Sequence, residues 1–279
     1  MSAAAVACRL CGAALRPRAW GGCPCEACGS VNVTEVPDEE ALSRFYAGYG
    51  ETYRGGGGHL ERYARRYLQL VRRHVRAGRL LDVGCSNNPF PDLAQRAGFG
   101  VHVLDYVRPA ALGPEVGFSA GSLSSALVRE RFHEPFDVVT AWAVLEHVPD
   151  PPDAIRALCT LVRPGGWCLV MVPEQGTALT DLAAGRSPWF YPPEHLHLPS
   201  PRALERAFVA QGLRLRDKGR FELNAWRYAA RYGAGLAEAA AGAALRTLRP
   251  SAWAALRERR IHRFQGMVYL VLQRDAQGV

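Results

Sequence analysis

The chain has 279 residues, 48% hydrophobic and 22% charged, a composition that excludes a disordered chain and suffices for one large α/β domain with a small appendage. Basic residues exceed acidic ones by eight, but Lys218 is the only lysine; a charge carried almost wholly by arginine allows an anionic partner without arguing for nucleic acid. No apolar run reaches the roughly 18 residues of a membrane span, and the start, MSAAAVACRL, has no basic segment ahead of an apolar core, so a cytoplasmic protein is expected.

Residues 1–36 hold five of the eight cysteines. CRLC and CEAC are two C-x-x-C knuckles, each followed by a glycine, Gly12 and Gly29, that lets the backbone turn around a metal. Cys8, Cys11, Cys25 and Cys28 are the predicted ligands of a structural Zn2+, with Cys23 able to replace Cys25. A segment this short would draw its folding energy from the metal. The scattered Cys85, Cys159 and Cys168 lie in apolar patterns and read as small buried residues.

Residues 37–78 predict a helical linker. Tyr46, Tyr49 and Tyr53 precede four glycines, and either pack inward or form a flap over a ligand. A second helix is expected over about His59–Arg76, where Leu60, Tyr63, Tyr67, Leu70 and Val71 recur at helical spacing.

From Arg79 onward the pattern is regular. RLLDVG predicts a strand, Pro89–Ala97 a helix, VHVLDY a strand, Val116–Ser119 a short strand and Ser122–Arg131 a helix. FDVVTAWAV predicts a strand, Pro152–Val162 a helix closed by Pro164-Gly165-Gly166, and WCLVMVPE a strand. Ser200–Gln211 follows as a helix and LRLRDKGRFEL as a strand; then comes a helical insert over about 224–260 and a last strand, GMVYLVLQRD. Continuous apolar strands alternating with helices predict a doubly wound, mostly parallel sheet over 79–279.

In such a sheet, ligands sit beyond the carboxyl ends of the strands. LLDVGCSNNPF places Gly84 there, and Asp105 ends the next strand 21 positions later, the spacing at which a carboxylate reaches a ribose diol. Ser86, Asn87, Asn88 and Pro89 stand where a pyrophosphate cradle would need further glycines. A ribose without a pyrophosphate fits S-adenosylmethionine, and Asp82 would favour the ammonium of its tail.

The same residues carry a family resemblance. LLDVGCSNNPF resembles the first motif of the class I S-adenosylmethionine-dependent methyltransferases, VLDY their acidic second-strand motif, and FDVVTAWAVLEHVPDPPDAIRALCTLVRPGGWCLVMVPE the fourth- and fifth-strand region of their small-molecule branch. PPEHLHLPSPRALERAF is similar to the loop and helix that follow there. The resemblance implies a seven-stranded Rossmann-like sheet with an antiparallel final strand. It also implies backbone contacts from Gly84 and Cys85 to the cofactor, ribose binding by Asp105 and adenine packing by Tyr106. Ser122 would stand where relatives have an acid near the adenine, and Ala141 and Trp142 would line the methionine end. The departure is at Ser86–Pro89, where the second family glycine is lost.

A hydroxyl acceptor gains from a general base, and His147, His195 and His197 are the candidates near strand ends. Some metal-dependent relatives use Glu-x-x-Glu-His here, but Ala143 replaces the first carboxylate ahead of Glu146 and His147. The expected activity is methylation of a small molecule, most simply a hydroxyl of a sugar, glycolipid or secondary metabolite; the zinc module and tyrosine-rich linker are similar to those of sugar-modifying methyltransferases. An RNA methyltransferase with a zinc module, or a noncatalytic binding protein with a degenerate cofactor site, are the alternatives. The aromatic and arginine-rich 224–260 stretch is expected to cover the acceptor pocket, rest on a membrane surface or make a dimer contact.

Overall fold

The computed structural model describes residues 7–18, 21–52, 57–175, 190, 192–222 and 266–276. The predicted insert at 224–260 and Tyr53 lie outside the described residues. The chain divides into two compact units, one of Met1–Thr34, Pro173–Ala203 and Gly219–Val268, the other of Glu35–Val172, Leu204–Lys218 and Tyr269–Val279.

The larger unit opens with two helices, α1 (Glu39–Thr52) and α2 (Gly57–Arg72). It continues through β3 (Gly78–Val83), α3 (Phe90–Arg96), β4 (Phe99–Asp105), β5 (Gly117–Ala120), α4 (Ser125–Arg131), β6 (Phe136–Trp142), α5 (Pro151–Leu161) and β7 (Val162–Pro173). After α6 (Pro201–Ala210) come β9 (Leu213–Glu222) and β10 (Gly266–Arg274). The labels β1 (Gly22–Pro24), β2 (Val31–Val33) and β8 (His197–Leu198) belong to the smaller unit.

The seven strands order as β5-β4-β3-β6-β7-β10-β9. β3 runs parallel to both β4 and β6, and β4–β5 and β6–β7 are parallel as well. Hydrogen bonds at both ends of β10 fix its direction: Glu174 N donates to Gly266 O, and Gly165 N to Asp275 O, so β10 is antiparallel to β7. The chain winds outward from β3 through β4 to β5, then restarts on the other side at β6. The switch point, where a doubly wound sheet binds its ligand, therefore falls between β3 and β6.

Sequence explains these elements locally. Leu80, Leu81 and Val83 are buried on both faces of the central strand, so no alternation is seen. Asp150 caps α5 by accepting from Asp153 N, with Pro151 in the first turn, and Ile155, Leu158 and Leu161 form its buried face. Ser124 caps α4 by accepting from Leu127 N, which starts that helix later than the predicted Ser122. The predicted helix to Arg76 ends at Arg72, where Arg73 N and His74 N turn to the carbonyls three residues back. Pro164-Gly165-Gly166 does not simply close α5: it lies inside β7, where a register shift opposite Phe136–Val138 absorbs it.

The smaller unit holds a three-stranded sheet, β1-β2-β8, antiparallel at both pairings. β8 has two residues and β1 and β2 three each, too few for any periodicity to show in sequence. Among the described residues, no helix is long and apolar enough to cross a membrane.

Candidate functional site

The larger unit places the predicted cofactor residues at or near the carboxyl ends of β3, β4, β5 and β6. Asp105, at the tip of β4, is oriented by the turn after β3: Ser86 N donates to its Oδ2 at 2.8 Å and Tyr106 N to its Oδ1 at 2.7 Å. Burial raises its pKa, while those two amides favour the anion. Each oxygen retains lone-pair capacity for a hydroxyl.

The turn keeps its glycine-like shape without the second glycine. Ser86 takes a left-handed φ of 47° and so aims its amide at Asp105. Ala143, one residue past β6, is also left-handed at φ 58°. Two non-glycine residues in this region at adjacent strand ends mark strain held by the surrounding fold, which concentrates at ligand sites. Gly84 has φ 68°, and a Cβ there would lie 2.6 Å from Val144 Cγ2. Packing by Val144, as well as any ligand, thus demands a glycine at this position.

Asp82 is buried at the end of β3. Its Oδ1 accepts from the Thr140 hydroxyl, and its Oδ2 has no partner. Burial pushes its pKa up to about 8, against the Thr140 hydrogen bond that favours the anion. Trp142 Nε1 is a second buried polar atom with no partner. Trp142 is otherwise locked, stacked on Tyr67 at 4.3 Å and 7° and edge-on to Phe90. Unmet buried polar groups each cost about 1–3 kcal/mol. An orphan acceptor and an orphan donor on neighbouring strands therefore fit a ligand carrying both an ammonium and a carboxylate. Ala141 is wholly buried within β6, and burial holds the Cys85 thiol protonated, so Cys85 offers backbone rather than thiolate chemistry.

α1 adds Glu39, which the sequence did not assign, and Tyr46, which it left between inward packing and a flap over a ligand. Tyr46 lies nearly parallel to Tyr106, with centroids 5.1 Å apart, and its hydroxyl is 3.0 Å from His147 Nδ1. Ser122 donates its hydroxyl to Glu39 Oε1 at 3.2 Å. The tyrosines before the glycine run were expected either to pack inward or to form a flap, and the partner of Tyr46, 101 residues away, could not be read from one sequence. Thr140 and Val144 were missed because each looks like ordinary apolar-strand sequence.

His195 and His197 belong to the smaller unit, where both are buried. His147, in the larger unit, keeps about 18% of its side chain exposed. The smaller unit also brings Cys8, Cys11, Cys25 and Cys28 together, with sulfurs all within 4.8 Å of one another. Cys23 is not in that group; it is buried in β1. The two knuckles repeat one geometry: Gly12 N donates to Cys8 O and Gly29 N to Cys25 O, each at 2.8 Å, with φ of 73° and 77° at the glycines. Cys8 and Cys28 share a hydrogen bond at 3.6 Å, which lowers the pKa of the first and raises that of the second.

The sequence matches the methyltransferase-domain family over residues 56–218. It is 38% identical over 108 residues to a ubiquinone biosynthesis O-methyltransferase of Shewanella sp. (strain ANA-3), covering 36% of this chain and 46% of that one. A protein of the same description from Ralstonia nicotianae is 37% identical over 95 residues, covering 32% and 40%. The chain thus spans less than half the length of these relatives. The fold is similar to that of Burkholderia thailandensis 1,6-didemethyltoxoflavin-N1-methyltransferase, solved with 1,6-didemethyltoxoflavin and S-adenosylhomocysteine, at a TM-score of 0.55 and 16% identity over 88% of this chain and 96% of that one. With its sheet order, its switch-point site and a family match over more than half its length, the chain belongs to the methyltransferase-domain family, on the class I fold.

Proposed function

We propose that the protein is an S-adenosylmethionine-dependent methyltransferase acting on a small molecule, with oxygen the methylated atom. The observation that carries this reading is the Asp105 carboxylate, held by two backbone amides at the tip of β4, near the orphaned Asp82 Oδ2 on the adjacent strand. When bound, S-adenosylmethionine supplies a methyl group already activated by a sulfonium. Asp105 takes the ribose hydroxyls, Tyr106 packs against the adenine and Ser122 stands at its edge. Gly84 and Cys85 offer backbone, Asp82 accepts from the ammonium, and Ala141 and Trp142 bound the methionine end. Positioning the acceptor in line supplies much of the acceleration.

A hydroxyl acceptor needs somewhere to send its proton, and the three candidate histidines differ in access. His147 is partly exposed, whereas His195 and His197 are buried. His147 is the best supported base, contributing about 10²- to 10⁴-fold. The O-methyltransferase relatives support oxygen as the atom methylated. Sugar, glycolipid and secondary-metabolite hydroxyls are the acceptor classes to test. Calorimetric titration with S-adenosylhomocysteine is the first experiment; no binding at millimolar ligand would overturn the reading.

The four cysteines are read as a structural zinc site. Zn–S bonds of about 2.3 Å in a tetrahedron put the sulfurs about 3.8 Å apart. Cys8–Cys28 at 3.6 Å and Cys11–Cys25 at 3.5 Å fit that cage. Four thiolates crowded together repel without a cation, so a divalent ion satisfies the set.

A further inference from the structure

The cysteine cage is tied to the segment that carries His195 and His197 by the side chains surrounding its sulfurs. Ser30 Oγ accepts from Cys28 Sγ at 3.3 Å and from Ser200 N at 2.9 Å, linking a candidate metal ligand to the far segment through one atom. Ser200 in turn donates its hydroxyl to Cys28 O and accepts from Ala203 N at 3.2 Å, capping the first turn of α6. On the opposite side, Asn32 Nδ2 donates to Cys8 Sγ at 3.7 Å and its Oδ1 accepts from Arg9 N at 3.2 Å. The backbone of Asn32 pairs with His197, and that of Val31 with Leu198. Val33 N completes the seam by donating to Leu196 O at 2.9 Å.

Two of the three strands of this sheet lie between or just beyond the cysteines. Cys23 sits in β1, and β2 begins three residues after Cys28. Among the described residues, the buried cluster at the sulfurs consists of Cys8, Leu15, Cys23 and Cys25, with Leu10, Ala13 and Cys28 against it, while Val31 and Val33 of β2 and Leu196 and Leu198 beside it are buried as well. The cluster at the sulfurs is too small to offset by itself the entropy of ordering the two knuckles, so they depend on closure of the cage. β8, with two residues, is held extended by its pairing with β2 together with the burial of Leu196 and Leu198.

We infer that the metal centre is a positioning device for residues 195–200: an ion in the four-cysteine cage, acting through Ser30, Asn32 and Ser200, fixes the backbone that presents His195 and His197. This rests on the reading of the cysteines as a metal site. Residues that hydrogen-bond metal ligands orient those ligands, and here the same residues pass that order to the partner strand. Losing the ion frees Ser30 and Asn32, and with them the seam from Leu196 to Ser200.

The test is hydrogen exchange by mass spectrometry on the full chain, with zinc content measured on the same samples before and after chelation. Removal of one zinc per chain is expected to raise exchange in 195–203 at least tenfold while β3 and β4 stay protected. Ser200→Ala, which leaves all four cysteines intact, is expected to keep its zinc yet show raised exchange in 196–203, and Ser200→Thr to restore protection. Zinc that leaves without altering 195–203 would overturn the inference and spare the metal site; a chain that holds no zinc would overturn both. Exchange rising equally in β3 and β4 would mean global unfolding and would likewise overturn it.

Discussion

Tyr46 Oη lies 3.0 Å from His147 Nδ1, while the ring of the same tyrosine lies nearly parallel to Tyr106, the residue next to the Asp105 carboxylate. One side chain from α1 thus touches both the proposed base and the proposed adenine platform. Tyr46→Phe keeps the ring and removes the hydroxyl. It should leave affinity for S-adenosylhomocysteine within about twofold and lower kcat about tenfold on any accepted substrate. Tyr46→Ala should weaken binding as well. Calorimetry and turnover assays separate the two effects, and an unchanged kcat in Tyr46→Phe would place the hydroxyl outside the chemistry.

Asp105→Asn retains one acceptor but loses the charge. Hydrogen bonds to a charged group contribute about 1.5–3 kcal/mol, so affinity for S-adenosylhomocysteine should fall roughly 10- to 100-fold. Thermal stability should change little, because the Tyr106 or the Ser86 amide can still be satisfied. Unchanged affinity, measured by titration, would remove Asp105 from the ribose site.

Asp82 gives a pH signature of definite sign. Its folded pKa of about 8 exceeds the ordinary carboxylate value of 3.8 because burial disfavours the anion. Between about pH 4 and pH 8 the folded chain therefore binds more protons than the unfolded one, and stability falls as pH rises through that window. Asp82→Asn should flatten this slope in denaturant titrations at pH 5 and pH 8. A ligand ammonium favours the anion, so S-adenosylhomocysteine should bind more tightly as pH approaches 8 and release a proton on binding. Calorimetry in buffers of different ionisation enthalpy reads that proton directly.

Gly84→Ala meets two obstacles at once, a φ of 68° and a Cβ 2.6 Å from Val144 Cγ2. The expected loss is about 1–3 kcal/mol for the backbone alone, with the clash adding to it. Adding Val144→Ala should recover the steric part but not the backbone part. A double-mutant cycle in denaturant measures the coupling, and additive losses would mean that the two residues do not interact.

The cysteine cage makes a sharper distinction than its sequence did. Cys25→Ser should abolish stoichiometric zinc, whereas Cys23→Ser should leave it intact, because Cys23 lies outside the sulfur cluster. Elemental analysis of the two purified variants decides between them.

Much of the large sheet could be read directly from the residues, because β3, β6 and β7 are continuous apolar runs between helices with recognisable caps. The place of Asp105 at the end of β4 was legible for the same reason: its spacing from Gly84 follows from strand and helix lengths. What stayed hidden depended on long-range geometry. Serine at position 86 gave no sign that it would keep the left-handed turn, since that conformation is imposed by the amide's bond to Asp105. The β2–β8 pairing joins residues far apart in sequence, Val31 with Leu198 and Asn32 with His197, and a two-residue strand carries no pattern of its own. Ser30, Asn32 and Ser200 were missed because nothing in a serine or an asparagine announces a sulfur neighbour.

That distant pairing has a consequence for how the polypeptide is made. The four cysteines are synthesised well ahead of β8 and can capture an ion before it, whereas β8 emerges only after most of the large sheet has been synthesised. Closing so long a loop is slow, and it gains nothing until the intervening chain has condensed. Until then β2 presents an open edge, a template for pairing with another nascent chain. Interrupted translation between residues 34 and 196 should therefore yield metal-loaded but sticky fragments, and clumping should ease once Leu198 has emerged and paired.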